Sequence, residues 1–204
     1  MTSTPTEEQI EAFQAIFNHF NRELFAEALP PVMLVFSRGR SHRTSGHFAP
    51  KRWSDGSTQL DEISLNPDAL DQPAQEIAAT IVHEMCHLWQ SIHGKPSRSG
   101  YHNNEWAKKM EAVGVVPSNT GQPGGRRVGQ QMADYPIEGG AFLRAFAQLQ
   151  RSLPFSSGFK RATKAGGRDS SKTRYTCPQC RVNIWGKLGL AVICGGCQVA
   201  FVVS

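Results

Sequence analysis

The sequence predicts an α+β protein: a main domain in which a small antiparallel three-stranded sheet packs on helices, followed by a small C-terminal β-hairpin unit. Three observations carry this. Apolar residues recur at helical spacing near the N-terminus. Three short β-like runs follow between residues 32 and 65. The end of the chain holds two C-x2-C pairs.

Thr4-Pro5-Thr6-Glu7 reads as a helix start: Thr4 caps, Pro5 suits the first helical position and Glu7 completes a capping box. Ile10, Phe13, Ile16, Phe17, Phe20, Leu24 and Phe25 then form one apolar face, and the helix is expected to end near Leu29-Pro30-Pro31. Val32–Phe36 is short, apolar and partly β-branched, a strand. Thr44–Ala49 is a second strand, Pro50–Ser57 a turn with Asp55-Gly56 at its tip, and Gln59–Leu65 a third strand ended by Asn66-Pro67. A second helix is expected over Gln72–Ile92, with Ile77, Ile81, Met85, Leu88 and Trp89 buried. A third is expected over Asn103–Val113 through Trp106 and Met110, and a fourth over Gly140–Leu153 through Phe142, Leu143, Phe146 and Leu149. Between the last two, PSNTGQPGGRRVGQQ reads as loop. The domain expectation is 1–153 for the main domain, 154–174 for a basic Gly/Ser-rich linker and 175–204 for the hairpin unit.

At 204 residues and 39% hydrophobic, the composition is that of an ordinary soluble protein. No apolar run is long enough to span a bilayer, so no membrane partner is expected. The polar, acidic start MTSTPTEEQIEAFQ lacks the pattern of a signal peptide, which predicts an intracellular, cytoplasmic location, nucleoid-associated in a bacterium. The net charge of +5 is uneven. Residues 151–204 hold nine Lys/Arg against one Asp, a net of +8, which leaves residues 1–150 at −3. Such a tail is either a solvated arm or one that binds a polyanion.

The chemistry concentrates in AATIVHEMCHLWQSIHGKPSRSGYHNNEW, residues 78–106. His83 and His87 are four apart on a helix and can point at one ion. Glu84 is turned about 100° from His83, close enough to reach a water on that ion. Zinc polarises such a water and lowers its pKa towards ~7. Glu84 can then take its proton and pass it to a leaving amine. Apolar flanks surround the motif, and two His and a Glu on such a face are costly without a partner. The third ligand has three candidates. His93 lies six residues after His87, about 240° around the axis if the helix continues, and Gln90 stands where a sharp chain reversal would need glycine. His102 opens the next helix after a loop that lets that helix fold back. Glu105 lies one turn further on the face of His102. The spacing favours His102. Cys86 reads as a small buried hydrophobe beside the metal; as a fourth ligand it would close the site.

HEMCHLWQ…GYHNNEWAKKMEAVG resembles the SprT-like (Spartan-related) zinc metalloprotease family, whose third His opens the next helix in an H-x-x-E-[FW] setting. His102-Asn103-Asn104-Glu105-Trp106 matches that setting residue by residue. IFNHFNRELFAEALPPVMLVFSRGRSHRTSGHFAP is similar to the family's opening helix, Leu-Pro and first two strands, so the resemblance covers about residues 8–115. PSNTGQPGGRRVGQQMADYPIEGGAF is similar to bacterial, plasmid or phage members. The resemblance implies a zincin-like fold, zinc, protease activity and, for the family's characterised members, digestion of proteins covalently trapped on DNA.

YTCPQCRVNIWGKLGLAVICGGCQVAFVVS carries Cys177, Cys180, Cys194 and Cys197 at zinc-ribbon spacing. VNIW and LAVI are the expected strands, with GKLG as their turn. Two Zn2+ ions are therefore expected, one catalytic and one structural, the second supplying much of the ribbon's folding free energy. A ribbon commonly follows the protease domain in SprT-like proteins. Lys160, Arg161, Lys164, Arg168, Lys172 and Arg174 in the linker, with Arg181 and Lys187 in the ribbon, are candidate DNA contacts without strong sequence preference. Trp185 is expected in the ribbon's small core, with base stacking as its second role. The resulting expectation is a zinc-dependent endopeptidase acting on proteins bound or crosslinked to DNA. The alternatives are a non-catalytic zinc protein that binds nucleic acid and a metallopeptidase indifferent to DNA.

Overall fold

The computed structural model describes residues 4–38, 44–152 and 172–204. The chain divides into two compact units, Met1–Arg161 and Ala162–Ser204. The first unit runs α1 (Pro5–Phe25), β1 (Met33–Phe36), β2 (Gly46–Ser54), β3 (Gln59–Leu65), a 3-10 turn (Pro67–Asp71), α2 (Ala74–His93), α3 (Asn104–Ala112), β4 (Val115–Ser118), β5 (Ala133–Pro136) and α4 (Ala141–Ser152).

The capping box at the start of α1 forms as its residues require: Glu7 N–H donates to Thr4 Oγ1 and Thr4 N–H to Glu7 Oε2. The helix ends four residues before the Pro-Pro pair. Ala26 and Glu27 both adopt positive φ (51° and 60°), and Asn21 closes the turn by bonding both the N–H and the C=O of Leu29. Phe13, Ile16, Phe17, Phe20 and Phe25 are buried as the periodicity demands, whereas Ile10 is exposed. Against them packs α4, through Phe142, Ala145, Phe146 and Leu149. His19 Nε2 lies 2.8 Å from Ala145 O, and the Phe20 and Phe142 rings stack at 5.8 Å.

The three-stranded sheet has the order β1-β3-β2, and it is mixed rather than antiparallel. β2 pairs antiparallel with β3, from Gly46↔Leu65 to Ser54↔Gln59, and β1 pairs parallel with it, from Met33↔Glu62 to Phe36↔Leu65. Alternation of apolar residues reads the same in either chain direction, so it cannot encode this. The tight turn, in which Asp55 Oδ1 accepts from the N–H groups of Ser57 and Thr58, commits one edge of β3 to β2. β1 takes the other edge, and the whole of β2 serves as the crossover that a parallel pair needs. β2 also continues past Pro50, with its register shifting between Ala49 and Trp53. At that bulge Lys51 adopts φ 50° and its N–H bonds Asp61. Buried Glu62 fastens the bulge by accepting from Trp53 Nε1 at 2.7 Å and pairing with Arg52 and His47.

α2 is the centre of the core, with Ala78, Ile81, Val82, Met85, Cys86 and Leu88 buried. The expected loop, residues 117–131, runs between two short antiparallel strands, β4 and β5, and shares only Pro117 and Ser118 with the first. Each holds a proline (Pro117, Pro136) and only four residues, too few to show a period.

The second unit is a three-stranded sheet, β7-β6-β8, of β6 (Thr173–Thr176), β7 (Asn183–Gly186) and β8 (Val202–Val203). VNIW does form β7, but its partner is β6, which starts inside the expected linker, and LAVI forms only an isolated bridge, Ile193↔Ala200. The turn joining paired strands is the first cysteine knuckle, not GKLG. Its small core is Tyr175, whose hydroxyl donates to Lys187 O at 2.6 Å and accepts from Leu190 N–H. Trp185 is 60% exposed, so the expectation that it fills the core is wrong. It sits opposite Arg174 on β7, in a strand too thin to bury both faces.

Candidate metal centre

Helix geometry brings His83 and His87 to one face of α2, and the fold brings His102 to meet them. One nitrogen from each lies within 4.8 Å of the others, and Nε2 of His83 is 3.2 Å from Nε2 of His102. Two nitrogens bound to one tetrahedral zinc at ~2.05 Å lie roughly 3.3 Å apart. The donor set therefore fits a zinc ion: three imidazoles meeting on the wall of a cleft of about 1140 Å3.

His102 sits immediately ahead of α3, whose N-cap is Asn103. Gln90, 3% exposed, fixes this approach: its Nε2 donates to both Asn103 Oδ1 and Glu105 Oε2, each at 2.7 Å. The residue that stands where a chain reversal would need glycine is thus the staple between α2 and α3. The rival ligands face other work. Glu105 also accepts from Lys95 N–H, and that bond, with Gln90, holds its carboxyl below the usual range. His93 Nε2 lies 3.3 Å from Ala28 O. Cys86 is fully buried, and its burial raises the thiol pKa, so it behaves as a small apolar residue.

Two residues with no mark in the sequence hold two of the three imidazoles from behind. Asp134 Oδ2 accepts from His83 Nδ1 at 3.1 Å, and Gly129 O accepts from His102 Nδ1 at 3.0 Å. These bonds place the proton on Nδ1 and leave Nε2 as the donor atom. Burial opposes charge on His83, but the Asp134 hydrogen bond and the Glu84 and Asp134 charges outweigh it, and its pKa is raised. Burial and the neighbouring rings lower His87, and burial and His83 bring His102 to about 4, so both stay neutral and ligand-competent at physiological pH.

Trp106, expected on the apolar face of α3, has a further place in the site. Fully buried, it packs beneath all three imidazoles, with centroids 4.7, 5.0 and 4.4 Å from His83, His87 and His102. Its Nε1 has no hydrogen-bond partner among the described residues. Trp106→Ala is expected to cost about 3–5 kcal/mol, a fall in Tm on the order of 10 °C, and to shrink the Tm gained on adding zinc. Trp106→Phe removes the unpaired donor and keeps a ring, so thermal denaturation should show a smaller loss.

Glu84 is 5% exposed and faces the same cleft. Burial pushes its carboxyl up to about 7, against the lowering pull of His83. Gly46 on β2 makes room for it: a Cβ there would lie 3.2 Å from Glu84 Cγ and 2.9 Å from Thr80 Cγ2.

The family comparison agrees with this geometry. The SprT-like family matches residues 13–124, more than half of the chain. The chain belongs to the SprT-like family. A comparison with curated proteins gives no match. In this SprT-like chain the matched span contains all three histidines, Glu84 and Trp106, and it stops short of Gly129 and Asp134.

The ribbon cysteines also converge. Their sulfurs lie within 4.8 Å of one another, with Cys180 and Cys194 at 3.7 Å. Two sulfurs on one tetrahedral zinc at ~2.3 Å lie roughly 3.8 Å apart, so this donor set fits zinc as well. The two knuckles repeat one another. Cys177 N–H bonds Val182 O and Cys194 N–H bonds Val199 O, and the residue after each second cysteine, Arg181 and Gln198, has φ near 60° (61° and 55°). Of the candidate DNA contacts, Lys172, Arg174, Arg181, Trp185 and Lys187 are exposed, while Lys160, Arg161, Lys164 and Arg168 lie outside the described residues. Among the described residues no helix is long and apolar enough to cross a membrane.

Proposed function

We propose that the chain is a zinc-dependent endopeptidase acting on DNA-associated proteins, including proteins crosslinked to DNA, with one catalytic and one structural zinc. The observation that carries the reading is the meeting of three imidazole nitrogens beside a buried carboxylate on the wall of one large cleft. His83, His87 and His102 would hold the catalytic ion, and the four cysteines the structural one. Bound in an open three-histidine site, zinc supplies Lewis acidity that polarises a peptide carbonyl and acidifies water.

The protein's own groups supply the rest. Glu84, with a pKa near neutrality, accepts a proton from the attacking water and returns it to the leaving amine nitrogen. β2 is one of the two edge strands of its sheet and lines the cleft through Gly46, His47, Phe48 and Pro50. An extended peptide can pair with such an edge through its main chain, which suits a protease that accepts many sequences. The exposed Lys172, Arg174, Arg181 and Lys187, with Trp185 available for stacking, support recruitment to DNA through phosphates and bases rather than base-specific readout.

Casein or histone cleavage by the zinc-loaded chain, with and without single-stranded or duplex DNA, tests this. Cleavage is expected to rise with DNA at low salt, and the stimulation to fall steeply as salt is raised. Cleavage indifferent to DNA would leave an ordinary metallopeptidase, and zinc binding without cleavage a non-catalytic protein.

A further inference from the structure

The far ring nitrogens of two of the three histidines are held by one short stretch of chain. Within residues 126–134, Gly129 O accepts from His102 Nδ1 and Asp134 accepts from His83 Nδ1. The same stretch is stapled to His102 by a reciprocal main-chain pair, His102 N–H to Gly129 O at 2.8 Å and Gly129 N–H to His102 O at 3.1 Å. Upstream, Arg127 pairs with Glu111 of α3 and Arg126 N–H bonds Asn119 Oδ1. Downstream, β5 fixes Asp134 opposite Pro117. Gln130, Gln131 and Met132, between the two holding points, line the cleft. The whole stretch lies beyond the span that the SprT-like family matches.

We propose that residues 126–134 are a clamp that retains the metal, with Asp134 and Gly129 as positioning residues, so that zinc binding and the ordering of this segment are one equilibrium. The inference rests on the metal-binding half of the reading above and not on hydrolysis. The physical ground is linkage. A ring held by its Nδ1–H presents Nε2 in a fixed direction and is a more basic ligand. The holder of two such rings is itself a glycine-containing segment that loses chain entropy when it orders. Whatever favours the ordered segment must favour the ion, and the ion must favour the ordered segment by the same factor. Gly129 suits its place through its backbone: side chains rarely adopt its φ of 151°, although a Cβ there would meet only Met132 Sδ, at 3.6 Å, so a substitution strains the residue whose carbonyl His102 uses.

Metal affinity of the full chain, measured by chelator competition, tests the clamp. Cobalt(II) in place of zinc separates the two sites, because only the thiolate site gives sulfur-to-metal charge-transfer absorption. Asp134→Ala is expected to weaken the histidine site by about 10- to 100-fold and Asp134→Asn by less, since the amide oxygen still accepts. Gly129→Ala should weaken it too, whereas Glu138→Ala, at an exposed position outside this stretch, should leave it unchanged. Hydrogen exchange of residues 126–134 should slow on zinc addition in the wild type, less in Asp134→Asn and least in Asp134→Ala, at unchanged metal-free Tm. Should Asp134→Ala fail to fold, Asp134→Asn and Arg127→Ala carry the test, the latter through faster exchange and weaker metal binding. Equal affinity across the Asp134 and Gly129 variants, with exchange indifferent to zinc, would overturn the clamp. A wild-type histidine site that binds no metal would overturn both the clamp and the reading it rests on. Tight metal binding without cleavage would sink only the protease.

Discussion

Glu84→Gln is expected to lower the turnover of a protein substrate by about 100- to 10,000-fold while the zinc content stays unchanged. Glu84 is not among the groups whose ligand atoms converge, yet it faces the same cleft as the three imidazoles. Gln keeps its length and can still accept the hydrogen bond that Phe48 N–H offers, but it cannot take a proton. The same exchange removes a buried ionisable group, so the variant should be at least as stable to heat as the parent. Metal analysis, a thermal melt and a cleavage assay on one preparation give all three readings. Full activity in the variant would refute the acid–base role. Lost zinc would mean that the carboxylate belongs to the ligand set.

Cys177→Ser should unfold the ribbon and leave the first unit standing. Cys177 is fully buried, and with Cys180, Cys194 and Cys197 it surrounds a single point. Tyr175 is the unit's one large side chain that is fully buried among the described residues. So small a core cannot by itself offset the chain entropy of residues 172–204, and structural zinc contributes about 10–16 kcal/mol of apparent binding free energy in peptides of this size. The expected result is a fall from two zinc ions to one per chain and collapse of amide dispersion in residues 172–204. The Tm of the first unit and DNA-independent cleavage of a small peptide should stay unchanged. Retention of both ions and of the ribbon's amide dispersion would refute a metal-dependent fold. Loss of DNA-stimulated cleavage alongside the unfolding would tie recruitment to this unit.

Much of the molecule is written in local spacing. The α1 capping box, the Phe-rich face from Phe13 to Phe25, β3 and α2 follow from patterns a few residues long, as do the His83–His87 pair and both cysteine knuckles. Helix pitch and the tight knuckle fix these distances within one turn of chain, so residue type and spacing suffice. His102 could be chosen over Glu105 and His93 on loop length and family likeness, but its arrival depends on Gln90 bridging two helices. The parallel direction of β1, the strands β4 and β5, the exposure of Trp185 and the Trp106 floor carry no local mark, because each is settled by what the rest of the chain places alongside. The same holds most strongly for the atoms behind the ligands. Gly129 lies 27 residues from His102 and Asp134 lies 51 from His83. The sequence by itself determined which side chains can grip an ion, since that is a matter of pitch. Only the tertiary structure decided what orients them, since a hydrogen bond between distant residues exists only after the packed core has paid the entropy of bringing them together.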